Sequence, residues 1–341
     1  MTYQELSDYA YDCDHVAPDS PEHDYRYVVK LVLRATLFFT DGYTPEARRA
    51  LQACFEDYLA HFAKELKWGW DPQPASGKPT PWKLDDRLAE VAKDAFLSVK
   101  PDDSIVEGFA SSLNPHYVGD YGIQCLTSAK WEQAVGQDTS YISFWVPYDA
   151  AHKGSWDGGS FPLHDFLLSC CNRLNVTQGY AGLAIALPHE YARWESYELE
   201  LAQNYYGVEI DNPINVLGMI ENWQGVKGAN WYTILGKHYA NKLGGGKAIR
   251  SKLPDPAFHA YDTSGGGVLI RAGKEPQMAP VEEGLPSLYV AVNDVIRPVR
   301  TTEIRSIGMG SNAGELRFNL RLTDLWMRRF DAPGIWPPAH P

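Results

Sequence analysis

The chain has 341 residues, 44% of them apolar, enough for one large domain or two lobes around a substantial core. Its formal net charge of −12 argues against nucleic acid or an anionic membrane as a direct partner and favours a basic protein surface. With 11 Trp, 20 Tyr and 12 Phe it is aromatic-rich, which favours sheets and adhesive surfaces.

The five cysteines, Cys13, Cys54, Cys125, Cys170 and Cys171, are odd in number and contain no CxxC pair. They predict a reduced, cytoplasmic protein. Met1 to Cys13 is polar and acidic and lacks the basic start and apolar run of a signal peptide. No apolar stretch is long enough to span a bilayer.

Residues 1–24 carry Glu5, Asp8, Asp12, Asp14, Asp19, Glu22 and Asp24, no Lys or Arg, and Tyr3, Tyr9 and Tyr11 among the acids. They predict an acidic N-terminal arm, either solvated or binding a partner by mimicking an anionic substrate. A first α/β lobe is expected over residues 25–155. Its opening run, Tyr25 to Phe39, reads as a central strand. Asp41-Gly42 is turn chemistry, and Thr44-Pro45-Glu46 opens a helix with Thr44 as N-cap. Ala47, Leu51, Cys54, Phe55, Tyr58, Leu59 and Phe62 form its buried stripe, so Cys54 reads as a packed thiol. Trp68 to Trp82, with four prolines, predicts a long loop. Trp68, Trp70 and Trp82 either tether that loop or expose it for recognition. Leu84 to Phe96 reads as a helix. Ile105 to Ser111, Tyr121 to Leu126 and Tyr141 to Val146 read as strands, with a short helix and loop in Ser128 to Thr139. Ser155 to Ser160, with Gly158 and Gly159, is the expected lobe boundary.

The second α/β lobe, residues 156–332, opens with a helix over Pro162 to Leu174 that turns Leu163, Phe166, Leu167 and Cys170 inward. Gly179 to Leu187 reads as a central strand ended by Pro188. Glu190 to Ala202 reads as a helix with Tyr191, Trp194, Tyr197 and Leu201 inward. Its outer side and tail, Glu190, Glu195, Glu198, Glu200, Glu209 and Asp211 against Arg193, predict a second acidic surface. Val226 to Leu253 is the stretch the fold is organised around. Trp231, Thr233 and Leu235 alternate with Tyr232 and Ile234, a strand covered on both faces. Residues 237–243 form about two helical turns, and Gly244 is placed to end them left-handed. Gly228 is expected where backbone approaches closely. Phe258 to Tyr261 and Val268 to Arg271 read as a hairpin around Ser264 to Gly267. Leu288, Ala291, Val292, Val295, Ile296 and Val299 mark an amphipathic helix opened near Pro286 and ended by Pro298. Arg297, Arg300, Arg305, Arg317, Arg321, Arg328 and Arg329 make the C-terminal part basic, with several expected to pair with carboxylates of this chain. Pro333 to Pro341 reads as a poorly ordered Pro-rich tail. The fold class expected is α+β, with mixed, mostly antiparallel sheets flanked by helices.

No sequence motif for chemistry stands out. His189-Glu190 lacks the second His of a zincin, and no GxSxG elbow occurs. Asp12, Asp14, His15 and His23 could chelate a metal only if a scaffold held them. The glycine runs 244–246 and 264–267 lack P-loop or dinucleotide spacing, so they read as turns. Glu195 and Glu198, three apart on a helix, suit acid/base work or a partner-facing side. No metal or cofactor is expected.

Three blocks carry a family resemblance. Gly225 to Thr233 with Leu243-Gly244-Gly245 resembles the "GV-x-W-L-T … L-G-G" block of the TsiV-like family of type VI secretion immunity proteins. Ile270-Arg271-Ala272-Gly273-Lys274-Glu275-Pro276 resembles its "IRAGxxP", and Trp326 to Asp331 its closing "W-x-RRFD". The resemblance runs from about Tyr25 to Asp331. Tyr232 departs from the aliphatic residue expected there, and the Trp-rich loop is outside the pattern. The resemblance implies a non-catalytic, TsiT-like antidote that binds a secreted effector toxin, often a nuclease of VRR-NUC or Tox-REase class. It implies structural roles for Gly228, Trp231, Gly244, Arg271, Gly273 and Trp326, with Arg328 or Arg329 in an internal ion pair. The partner surfaces expected are the acidic helix, the residues Asp12 and Asp14 of the arm, and Trp68 and Trp70. The competing readings are a hydrolase-like enzyme and a structural component of a secretion machine.

Overall fold

The computed structural model describes residues 3–21, 25–70, 81–83, 96–150, 161–189, 194–221, 224–308 and 316–340. Among these, eleven strands form one antiparallel sheet in the order β10-β11-β9-β8-β2-β7-β6-β5-β3-β4, with β5 spanning Ile105–Ala110, β6 spanning Gly122–Thr127 and β1 (His15–Val16) paired to β2. Helices flank it, so the fold is α+β. At its centre lies β2 (Tyr27–Phe39), between β7 (Ser140–Pro147) and β8 (Val176–Ala186). All three are almost wholly buried, as their largely apolar sequences require of strands covered on both faces. The sheet crosses the boundary expected near residue 155, because β2 and β8 come from opposite sides of it.

One face of β2 turns Leu31, Leu33, Ala35 and Leu37 into the main core. There α2 (Pro45–Phe62) and α4 (Leu163–Arg173) pack, with Tyr58 and Phe166 against Phe144 of β7. Thr44 caps α2 through Ala47 N–H and Pro45 occupies its first turn, as the sequence predicts. The other face of β2 carries Val32, Arg34 and Thr36. Arg34 lies opposite Trp145 and Gly182, and Thr36 opposite Ser143 and Tyr180. Beyond β8 the sheet continues through β9 (Tyr232–Leu235), β11 (Val268–Ala272) and β10 (Phe258–Asp262). All four residues of β9 are buried and Trp231 is buried beside them. Gly244 (φ +95°) and Gly273 (φ +89°) occupy left-handed backbone that a side chain would strain. The helix α7 (Lys237–Lys242) stops just before Gly244.

Four expectations are corrected. The acidic arm is α1 (Tyr3–Cys13), a docked helix: Leu6, Ala10 and Cys13, spaced i, i+4, i+7, are buried beneath its acids. The Trp68–Trp82 loop begins in β3 (Trp68–Trp70) and ends in β4 (Pro81–Lys83), an antiparallel pair that closes one edge of the sheet. The C-terminal tail is pinned by Trp336, which is buried, lies parallel to Phe318 at 5.8 Å and donates from its indole N–H to Ala202 O at 2.7 Å. Gly228 is not a point of close approach, since a Cβ there would meet nothing within 4 Å. The helix expected over Leu84 to Phe96 lies almost entirely outside the described residues, as does the break at Ser155 to Ser160.

Candidate functional site

The acids predicted to form one surface separate into two populations. The helix expected from Glu190 begins at Glu195, forming α5 (Glu195–Asn204), and turns Glu195 and Glu198 inward. Together with Glu209 and Asp211 they are buried, so the second acidic surface does not exist as predicted. Of that set, Glu200 is exposed and Glu190 lies outside the described residues.

The buried carboxylates are answered by cations from distant parts of the chain. Arg34 of β2 pairs through Nε with Asp211 at 3.0 Å and donates to Ser143 Oγ at 3.0 Å. Asp211 also accepts from Tyr180 at 2.6 Å and from Thr36. Glu209 receives Lys227 Nζ at 2.6 Å, Asn230 Nδ2 at 2.8 Å and Arg329 Nη2 at 3.4 Å. A Cβ at Gly182 would strike Asn230 Oδ1 at 2.1 Å, so glycine is what admits this amide against β8. Trp326 is buried under two of these cations, with Lys227 Nζ 5.3 Å and Arg329 Cζ 3.7 Å from its ring centroid. Arg329 is therefore the internal ion-pair residue of the closing block, while Arg328 pairs with Asp324 along one half-exposed helix side. Arg317 reaches Glu195 at 3.9 Å, and Arg300 holds Asp331 at 2.6 Å. Arg271 lies half-buried beside Tyr232.

The exposed acids gather on α1. Glu5, Asp8 and Asp12 face solvent, and Glu282 and Glu283 of a 3-10 turn (Val281–Glu283) lie close enough to act on the same tyrosine, Tyr9. Burial first, then these carboxylates, raise the Tyr9 hydroxyl above its ordinary value. Tyr9 meets Tyr205 edge-on at 5.6 Å, and Tyr205 is pushed up to about 12 by burial and the same field. Tyr11 is 86% exposed. At the far end, Glu200 lies near His15, whose ring packs 4.1 Å from Tyr197. Asp14 does not belong to this face. It is largely enclosed, accepts the Leu31 N–H at 2.8 Å and ties α1 to β2; burial raises it to about 6. Trp68 is also removed from the surface, buried with its indole N–H on Ser112 Oγ at 2.8 Å. Trp70 lies on β3.

Behind the acidic face, on the Arg34 side of the sheet, a pocket of about 140 Å³ opens between β2, β7, β8 and α6 (Pro213–Ile220). Trp68, Trp145, Tyr117 and Ile214 wall it, and its polar lining includes Arg34, Gln124 and Glu198 together with Ser112, His189, Asp211 and Asn212. Sequence reasoning did not single out Arg34 or Gln124. Arg34 carried a signal: with Lys30 it is one of two cations inside a mostly apolar central strand. Burial, then the Glu195 charge, push Glu198 up to about 8, so its carboxyl is neutral at pH 7.

Among the described residues no group of His, Cys, Asp and Glu is placed to hold a metal, and no helix is long and apolar enough to cross a membrane. All five cysteines are buried free thiols. His23 of the candidate chelating set lies outside the described residues.

A family model described as "TsiV: Type VI immunity for VRR-NUC" matches residues 50–330. A solved structure titled Pseudomonas aeruginosa T6SS protein PA0821 superposes with a TM-score of 0.81 at 25% sequence identity, covering 97% of this chain and 91% of that one. No curated protein matches the sequence.

Proposed function

This chain belongs to the TsiV family, type VI immunity for VRR-NUC, and from that premise we propose that it neutralises its cognate nuclease effector by binding alone, without turnover. The family match over residues 50–330 carries this reading. The exposed acids of α1 and of the 3-10 turn support it physically: a nuclease binds a polyanion, so its cleft is basic, and an acidic face is steered toward it. Steering sets the encounter rate, and buried anchors set the lifetime of the complex. Tyr11 is the aromatic residue of this face best exposed to serve as an anchor. The docking face is therefore α1 with Glu200, Glu282 and Glu283, in place of the buried acids of the 195–211 segment. Asp211 is fully occupied by Arg34, Thr36 and Tyr180, which suits a structural group.

The test is a cleavage assay with a purified VRR-NUC effector encoded beside this gene. One equivalent of the chain is expected to abolish DNA cleavage and to co-elute with the effector. Undiminished cleavage at severalfold excess, or turnover of a substrate by the isolated chain, would overturn the reading.

A further inference from the structure

The pocket beside Arg34 has the composition of a ligand site that toxin binding leaves unexplained. Its walls are apolar surfaces whose polar atoms are already engaged: Trp145 Nε1 donates to Gly119 O at 3.0 Å, Trp68 Nε1 to Ser112 Oγ at 2.8 Å, and the Tyr117 hydroxyl to Asp19 at 3.0 Å. Such walls suit a ring or a short aliphatic body. Asp211 and Asn212, which also line the pocket, are engaged as well, whereas three other polar side chains keep open groups. The Arg34 side chain is 9% exposed; its Nε holds Asp211 and Ser143, while Nη1 and Nη2 make no hydrogen bond or ion pair with any described residue. Its Cζ lies 5.4 Å from the Trp145 ring centroid. Glu198 is 5% exposed, lines the same pocket and likewise makes no hydrogen bond or ion pair with a described residue. Gln124, on the same face of the sheet, is similarly uncommitted.

We propose that this pocket binds a carboxylate, held by the open fork of Arg34, with Gln124 and Glu198 completing the polar shell and the ligand's apolar body against Trp68 and Trp145. A guanidinium with both terminal nitrogens open matches a carboxylate by two parallel hydrogen bonds. The charge balance of the surrounding interior agrees. With Glu198 neutral, Arg34, Lys227, Arg329 and Arg317 face Asp211, Glu209 and Glu195, so one anion would neutralise the cluster. A neutral Glu198 also supplies a donor that an ionised one lacks. This site is independent of the α1 face and does not rest on the immunity reading.

Titrating benzoate against the full chain, by calorimetry and by the fluorescence of the tryptophans, tests this; benzamide is the uncharged control. Benzoate is expected to bind one saturable site, with benzamide at least about tenfold weaker because it lacks the charge-assisted pair. Arg34→Lys keeps the charge beside Asp211 but loses the fork, and is expected to weaken benzoate about tenfold or more. Val106→Phe, which fills the pocket from β5, is expected to abolish binding in a chain whose unfolding temperature is retained. Glu198→Ala, which removes the donor, is expected to weaken benzoate several-fold, and parent-like affinity there would remove Glu198 from the shell. No saturable binding at millimolar benzoate, equal binding of benzamide, or parent-like affinity in both Arg34→Lys and Val106→Phe overturns the proposal. Adding effector identifies the source: displacement of benzoate assigns the carboxylate to the effector, and simultaneous binding assigns it to a free acid.

Discussion

Two segments of this chain are equally acidic in sequence and opposite in structure. On α1, Glu5, Asp8 and Asp12 stand in solvent above a stripe of Leu6, Ala10 and Cys13. Between residues 195 and 211, Glu195, Glu198, Glu209 and Asp211 are at most 5% exposed. What separates them is the company that the fold supplies. Arg34, Lys227, Arg317 and Arg329 converge on the second group, whereas residues 1–24 contain no Lys or Arg. Burying a charge costs several kcal/mol unless an opposite charge and hydrogen bonds meet it. Glu195, Glu209 and Asp211 are interior where distant cations arrive, while Glu5, Asp8 and Asp12 of α1 stay in solvent.

The sharpest way to break this comparison is to remove one carboxylate from each group. Glu209→Ala leaves Lys227 and Arg329 buried without their counter-ion, and is expected to destabilise the chain by about 3–5 kcal/mol. Glu5→Ala is expected to stay within about 0.5 kcal/mol of the parent. Urea unfolding measures both, and comparable losses would erase the distinction. The same logic says that Glu195→Lys or Glu198→Lys disrupts folding and so reports nothing about the effector interface.

Local signals explain which parts of this arrangement could be read from the sequence. Thr44 and Pro45 mark the start of α2 because capping is decided within four residues, and the apolar run of β2 marks a strand covered on both faces. The stripe under α1 was equally local, but the count of acids outweighed it. That C-terminal arginines pair within the chain was legible, but most of their partners were not, because Arg329 meets Glu209 across 120 residues and no local pattern records such a meeting. Trp336 is a similar case: a single indole in a Pro-rich tail pins that tail to Ala202, 134 residues away. The pocket combines both difficulties, since Arg34, Gln124 and Glu198 come from β2, β6 (Gly122–Thr127) and α5. The docked tail gives a prediction of intermediate size. Trp336→Ala removes a fully enclosed indole and is expected to cost about 3 kcal/mol, measured by the same unfolding curves; a loss near zero would mean that the tail contributes nothing to the core.

Reversing Glu5, Asp8 and Asp12 to Lys together sharpens the comparison from the exposed side. The unfolding temperature is expected to hold within about 2 °C, because none of these side chains is buried. Association with the effector is expected to slow roughly tenfold at low salt, and the difference is expected to shrink as salt screens the encounter. Stopped-flow association across a salt series decides it. An unchanged rate at low salt would remove α1 from the docking face and leave Glu200, Glu282 and Glu283 to account for it.

A last test concerns Glu198, a buried acid that makes no ion pair with a described residue. Glu198 titrates at about 8 in the folded chain against an ordinary value of 4.5. Between these two pH values the folded chain keeps a proton that the unfolded chain has released. Stability from this site is therefore complete below about 4.5, falls as pH rises and is fully lost above about 8. Glu198→Gln is neutral throughout and removes that slope. Its unfolding temperature is expected to match the parent near the acid end of the window and to exceed it by several degrees at the alkaline end. Thermal unfolding of both chains across the window gives the difference curve, in which every other titrating group cancels. Parallel curves would mean that Glu198 is ionised inside the fold, and would place it with Glu209 and Asp211 as a carboxylate that the buried cations hold.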